Sequence, residues 1–209
     1  GVKFALGENP KSVYNDRDET PITRMATAAM IREGLAKAQR YQQELDFAES
    51  DPDEHMPDYD AKSEALLPLL ERDVKAHFHC HRADDICTAI AKEFNLDYVI
   101  IHGTEGHLIA DILAEENAPV IAGPILCDRC KPEMQHLTIS GPSIMQKAGV
   151  KLALCTDHPV IPIQYLPTTA ALAVKGGMQR EDALYAITAG AAEILGVENR
   201  IGSIAAGMD

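Results

Sequence analysis

Apolar residues along this chain recur with two spacings, and the spacing changes where the elements change. From Thr23 to Phe47 the positions Met25, Ala28, Ala29, Ile31, Leu35, Ala38, Tyr41 and Leu45 follow a helical period, which predicts one long amphipathic helix. Val2 to Leu6 is a short apolar run closed by Gly7, Glu8, Asn9 and Pro10, the pattern of a strand and a turn. Residues 11–22 read as polar and irregular, and Ala61 to Glu71 as a second, shorter helix. Val74 to Cys80 alternates instead. In a strand Lys75, His77 and His79 share one face while Val74, Ala76 and Phe78 share the other. Asp84 and Asp85 then open a helical run through Ile86, Ala89, Ile90 and Phe94, since acids favour a helix's first turn.

Beyond residue 95 the pattern becomes regular. Strands are predicted over 96–101, 119–126 and 150–155, with helices over 107–116, 143–148, 166–174 and 181–195. Leu108, Ile109, Ile112 and Leu113 form the expected buried stripe of the first of these, and Gly196 the stop of the last. Strands alternating with helices imply a parallel sheet with right-handed crossovers. Between the two early helices, residues 49–60 (ESDPDEHMPDYD) read as an acidic surface loop with His55 solvated.

Composition narrows the classes. With 209 residues and 46% hydrophobic content the chain suffices for one buried domain, taken as 1–209. A formal charge of -13 argues against nucleic acid and anionic membrane surfaces, which are bound through Lys and Arg. No apolar run approaches the roughly 20 residues of a membrane span. A cytoplasmic protein with reduced thiols is expected from its five cysteines. Cys127 and Cys130 form a lone CxxC and are read as ordinary thiols. The chain opens on Gly1 and closes on the turn-like GSIAAGMD, which fits a piece of a longer protein.

Candidate chemistry sits at strand ends. His79, His102 and Asp157 each close a strand, and in parallel α/β proteins those ends converge on one mouth. Two imidazoles and a carboxylate suit Zn²⁺, with iron or manganese as other choices. His81 and Arg82, just past the strand, are candidates to hold a substrate carbonyl or carboxylate. His77 is read as a hydrogen-bonded strand residue and His107 as structural, while His158 serves the loop or supports the site. His136 has no nameable partner, and Asp128 and Arg129 are weaker candidates for the site's mouth.

The fragments HFHCHRADDI, IIHGTEGH and CTDHPV, together with GENPKSVY, TRMATAAMIRE and the AITAGAAEILGVENRIGSIAAGMD tail, resemble metal-dependent amidohydrolases. The imidazolonepropionase and prolidase-like branch is the nearest match. That resemblance implies part of a (β/α)8 TIM barrel, from about its fourth strand to the helices after its eighth. It also implies that the first strands, with their HxH pair, and the small β-sandwich domain are missing. By the same resemblance His79 and His102 are metal ligands, and Asp157 touches the metal and takes the proton of the attacking water. Lys3 or Glu8 stands where the superfamily often bridges two ions. The implied activity is hydrolysis of C–N bonds in small amides, cyclic amides or dipeptides. A deaminase and a non-catalytic barrel fragment are the alternatives. The expected partners are a small-molecule substrate and, because exposed strand edges invite pairing, further copies of the chain.

Overall fold

The computed structural model describes residues 1–51, 53–89 and 92–209, so Pro52 of the acidic loop and Ile90 of the predicted helical run lie outside the described residues. In chain order the elements are β1 (Val2–Ala5), α1 (Glu8–Asn15), α2 (Arg24–Ser50), α3 (Ala61–Glu64), α4 (Leu67–Leu70), β2 (Ala76–Cys80) and α5 (Ala83–Ala89). They continue with β3 (Tyr98–His102), α6 (Ala110–Glu115), β4 (Val120–Ala122), α7 (Gly141–Lys147), β5 (Leu152–Leu154), α8 (Leu166–Lys175), α9 (Arg180–Tyr185) and α10 (Ala189–Leu195). The strands form a five-stranded parallel sheet in the order β1-β2-β3-β4-β5, an α/β fold. Among the described residues no helix is long and apolar enough to cross a membrane.

The chain divides into two compact units. One comprises Gly1–His77 with Ala91–Tyr98, the other Phe78–Ile90 with Val99–Asp209. In the first, the Thr23 hydroxyl caps α2 by accepting the Ala26 N–H at 3.0 Å, and the helix buries Leu35, Ala38 and Tyr41. The Tyr41 hydroxyl donates to Glu64 at 2.7 Å, which fastens α3 to this helix. In the second, Val99, Ala153 and Ile194 form a fully packed cluster between sheet and α10. Both faces of β2 are buried beyond His77, as expected of a parallel strand covered on two sides.

Four sequence expectations change. The turn read at Glu8–Pro10 is the first turn of α1; Pro10 sits where a missing N–H breaks no helical bond. Residues 61–71 form two helices, because Pro68 cannot continue α3 but suits the first turn of α4. The last predicted helix is also two, α9 and α10, separated at Thr188, whose hydroxyl donates to the Leu184 carbonyl at 2.7 Å. The stripe on 107–116 is only half buried. Leu113 is fully covered while Leu108 and Ile112 are exposed, because a 3-10 turn over Gly106–Leu108 shifts the helical register.

Candidate metal centre

Register decides which side chains meet at the carboxyl ends of the strands. His102 lies level with Ala122 of β4, and Ala122 with Leu154 of β5. Past the strands, Gly103 N–H donates to the Cys80 carbonyl at 3.0 Å and Glu105 N–H to the His81 carbonyl at 2.8 Å. The pairing therefore continues beyond β2 and β3, and His79 and His81 come to flank the level of His102. A strand's alternation puts both on the same face.

The three imidazoles meet. One donor atom from each of His79, His81 and His102 lies within 4.8 Å of the others, and all three residues are buried. The His79 and His102 rings cross at 82° with centroids 4.5 Å apart, and His79 crosses His81 at 84° and 5.2 Å. His81 and His102 are stacked, 4.7 Å apart and 6° from parallel.

His102 Nδ1 lies 2.6 Å from the Gly123 carbonyl oxygen. A carbonyl only accepts, so Nδ1 carries the proton and Nε2 keeps its lone pair, the arrangement that orients histidine ligands in metal sites. The approach needs glycine. Gly123 has φ of 136°, and a Cβ there would collide with the Cys155 carbonyl. His102 itself has φ of 75°, a left-handed conformation uncommon outside glycine and enriched at functional sites. Burial, and then the neighbouring His102 and His79, push the His81 imidazole down to about 3, so it is neutral at ordinary pH. Buried neutral imidazoles are the donor set that Zn²⁺ and similar divalent ions take, so the residues fit such an ion.

Asp157 lies outside this group. It follows β5 on the exposed surface with φ of 53°. Two inter-strand steps of roughly 4.8 Å each separate β5 from β3. Arg82 turns its fork to its own neighbour, its Nε and Nη2 donating to Asp84 at 2.9 and 3.0 Å. Lys3 is exposed on β1 and Glu8 opens α1, both within the first unit. Cys127 and Cys130 are free thiols; the first points at the Pro124 carbonyl at 3.3 Å. Asp128 and Arg129 line a cleft of about 540 Å³ together with Leu137 and Thr138, which also border the space beside His102.

Sequence reasoning missed the groups behind the imidazoles. Glu105 is buried, with one carboxylate oxygen accepting the Ala83 N–H at 2.8 Å at the start of α5 and the other 2.7 Å from His136 Nδ1. His81 Nδ1 lies 2.7 Å from the Thr104 hydroxyl, and its Nε2 lies 3.8 Å from Oε1 of the buried Glu133. The only sequence signal was proximity: Thr104 and Glu105 lie two and three residues after His102, but a turn discloses neither burial nor direction.

The sequence profile of the Amidohydrolase family matches residues 23–209. The chain belongs to the amidohydrolase family. Amidohydrolase tasK of Hapsidospora irregularis is 28% identical to this family member over 224 residues, covering all of this chain and 22% of that one. The crystal structure of an amidohydrolase from Thermotoga maritima MSB8 superposes with a TM-score of 0.95 at 44% identity, covering 100% of this chain and 55% of that one. A prolidase complexed with N-methylphosphonate-L-proline shares the fold at a TM-score of 0.54 and 19% identity, over 72% of this chain and 40% of that one. This amidohydrolase chain thus spans about a fifth of one relative and about half of another.

Proposed function

We propose that this chain is the metal-binding part of a hydrolase that cleaves C–N bonds in small amides, cyclic amides or dipeptides. It corresponds in this reading to a (β/α)8 barrel from about its fourth strand onward. The observation that carries the reading is the crossed pair His79 and His102, with His102 oriented by the bond from Nδ1 to the Gly123 carbonyl. A bound divalent ion, Zn²⁺ first and iron or manganese as alternatives, supplies Lewis acidity that activates water and polarises a carbonyl. His79 and His102 hold it in this proposal, and Asp157, which lies outside their cluster after β5, turns in to complete the site and accept the water's proton. His81 donates a hydrogen bond to the substrate oxygen, while Arg82, once released from Asp84, contacts a substrate carboxylate. At 19% identity the prolidase likeness speaks for the fold and leaves the substrate open.

Metal analysis tests this first. Zn²⁺ should bind stoichiometrically, and H79A or H102A should weaken it beyond the roughly 10–100-fold caused by losing an outer partner. Chelation should abolish turnover of a dipeptide and N-acyl amino acid panel by the protein that carries this chain. Equal Zn²⁺ affinity in wild type, H79A and H102A would overturn the assignment.

A further inference from the structure

Three clustered imidazoles invite the reading that all three grip one ion, yet one pair of ring planes is set against it. An imidazole nitrogen's lone pair lies in the plane of the ring, so a ligated ion must lie close to that plane. His79 and His102 cross at 82°, and one ion can lie in both planes. His81 is stacked on His102 at 6°, so their planes run side by side and an ion in one lies off the other. One ring nitrogen of His81 is also engaged elsewhere, and the other faces a carboxylate. Nδ1 lies 2.7 Å from the Thr104 hydroxyl, and Nε2 faces Glu133 Oε1 at 3.8 Å.

We propose that Glu133 and Thr104 are positioning residues that hold His81 as a hydrogen-bond donor beside the metal rather than as a third ligand. This rests on the metal-hydrolase reading above and adds the residues that decide what His81 does there. A carboxylate facing Nε2 favours the tautomer with its proton on that nitrogen. Thr104 can then donate its hydroxyl hydrogen to Nδ1. The carboxylate selects this form and the hydroxyl, able to donate or accept, supports it, with no lone pair for a metal on Nε2 and an N–H able to reach a substrate oxygen. At 3.8 Å the contact with Glu133 is electrostatic and not a direct hydrogen bond, which leaves the N–H room to turn to a substrate. The Glu133 side chain is fully buried, and Lys131 Nζ lies 4.0 Å from the same oxygen as a charge partner.

The experiment is nitrogen NMR of the chain labelled with ¹⁵N-histidine, with H81N identifying the His81 signals and Zn²⁺ as the added metal. Without metal, His81 should show the Nε2–H tautomer. Zn²⁺ should move ring-nitrogen signals of His79 and His102 to metal-bound positions while His81 keeps its pattern, and H81N should keep Zn²⁺ affinity within about threefold. E133M and T104A should each shift His81 toward the other tautomer; T104A serves should E133M fail to fold. Movement of His81 nitrogens on Zn²⁺ addition equal to that of His102 would overturn the proposal. So would a tautomer unchanged in both variants. A wild type whose histidines ignore Zn²⁺ would sink the metal reading instead, while the metal-free tautomers still judge Glu133 and Thr104.

Discussion

The two compact units of this chain handle charge in opposite ways. In the unit built from Gly1–His77 and Ala91–Tyr98, ion pairs sit at the surface: Arg32 with Glu93 at 2.7 Å, Lys37 with Asp60 at 2.7 Å and Lys75 with Asp97 at 3.0 Å. The residues buried there with polar side-chain atoms, among the described residues, are Thr27, Ser63 and Tyr41, while of Arg24 and Tyr98 single polar atoms are covered. The other unit buries ionisable side chains, namely His79, His81, Asp85, His102, Glu105 and Glu133. Exposed pairs contribute about 0–1 kcal/mol each, whereas an ion removed from water loses several kcal/mol of solvation that its neighbours must offset. A fold retains such groups where chemistry needs them, and here they gather around the carboxyl ends of β2 and β3.

The comparison can be broken most forcefully at Gly123. Its φ of 136° and the collision a Cβ would make with Cys155 predict that G123A destabilises the second unit by about 2–4 kcal/mol, read by urea denaturation. An unchanged midpoint would mean that the backbone behind His102 is loose. Next comes E105A, which removes the acceptor of the Ala83 N–H and the partner of His136. Loss of about 1–3 kcal/mol is expected, the usual worth of hydrogen bonds to a charged group. A change comparable to that of a surface mutation would show that burial of Glu105 is incidental.

The smallest effect belongs to the first unit and to acid. Hydrogen bonds from Lys37, then Ser63, hold the Asp60 carboxyl down at about 2, below its ordinary 3.8. A depressed carboxyl contributes stability above pH 3.8 that fades as pH falls through that window and is gone below about 2. Thermal melts should therefore separate wild type from K37M slightly at pH 5 and not at pH 2. A gap that persists at pH 2 would place the role of Lys37 in packing.

Most of the secondary structure was legible because burial on one face imposes a period on the residues. The long α2, the alternation of β2 and the βα order beyond residue 95 all follow from it. Breaks were harder. Pro10 looked like a terminator and proved to be a tolerated first-turn residue, and the splits at Pro68 and Thr188 left the apolar pattern intact. For the site, strand-end placement brought His79 and His102 to notice, but Asp157 stands apart from the imidazoles and His81 joins them.

What the sequence determined alone was local: which stretches bury a face, which residues end strands, and a set of motifs characteristic of amidohydrolases. The tertiary structure decided how those ends are aligned and turned. Register set His102 level with Ala122, a glycine conformation presented the carbonyl that fixes its tautomer, and ring planes separated the crossed pair from the stacked one. Glu105, Thr104 and Glu133 became visible only then. A residue's burial and direction depend on neighbours distant in sequence, and no spacing along one chain carries that information.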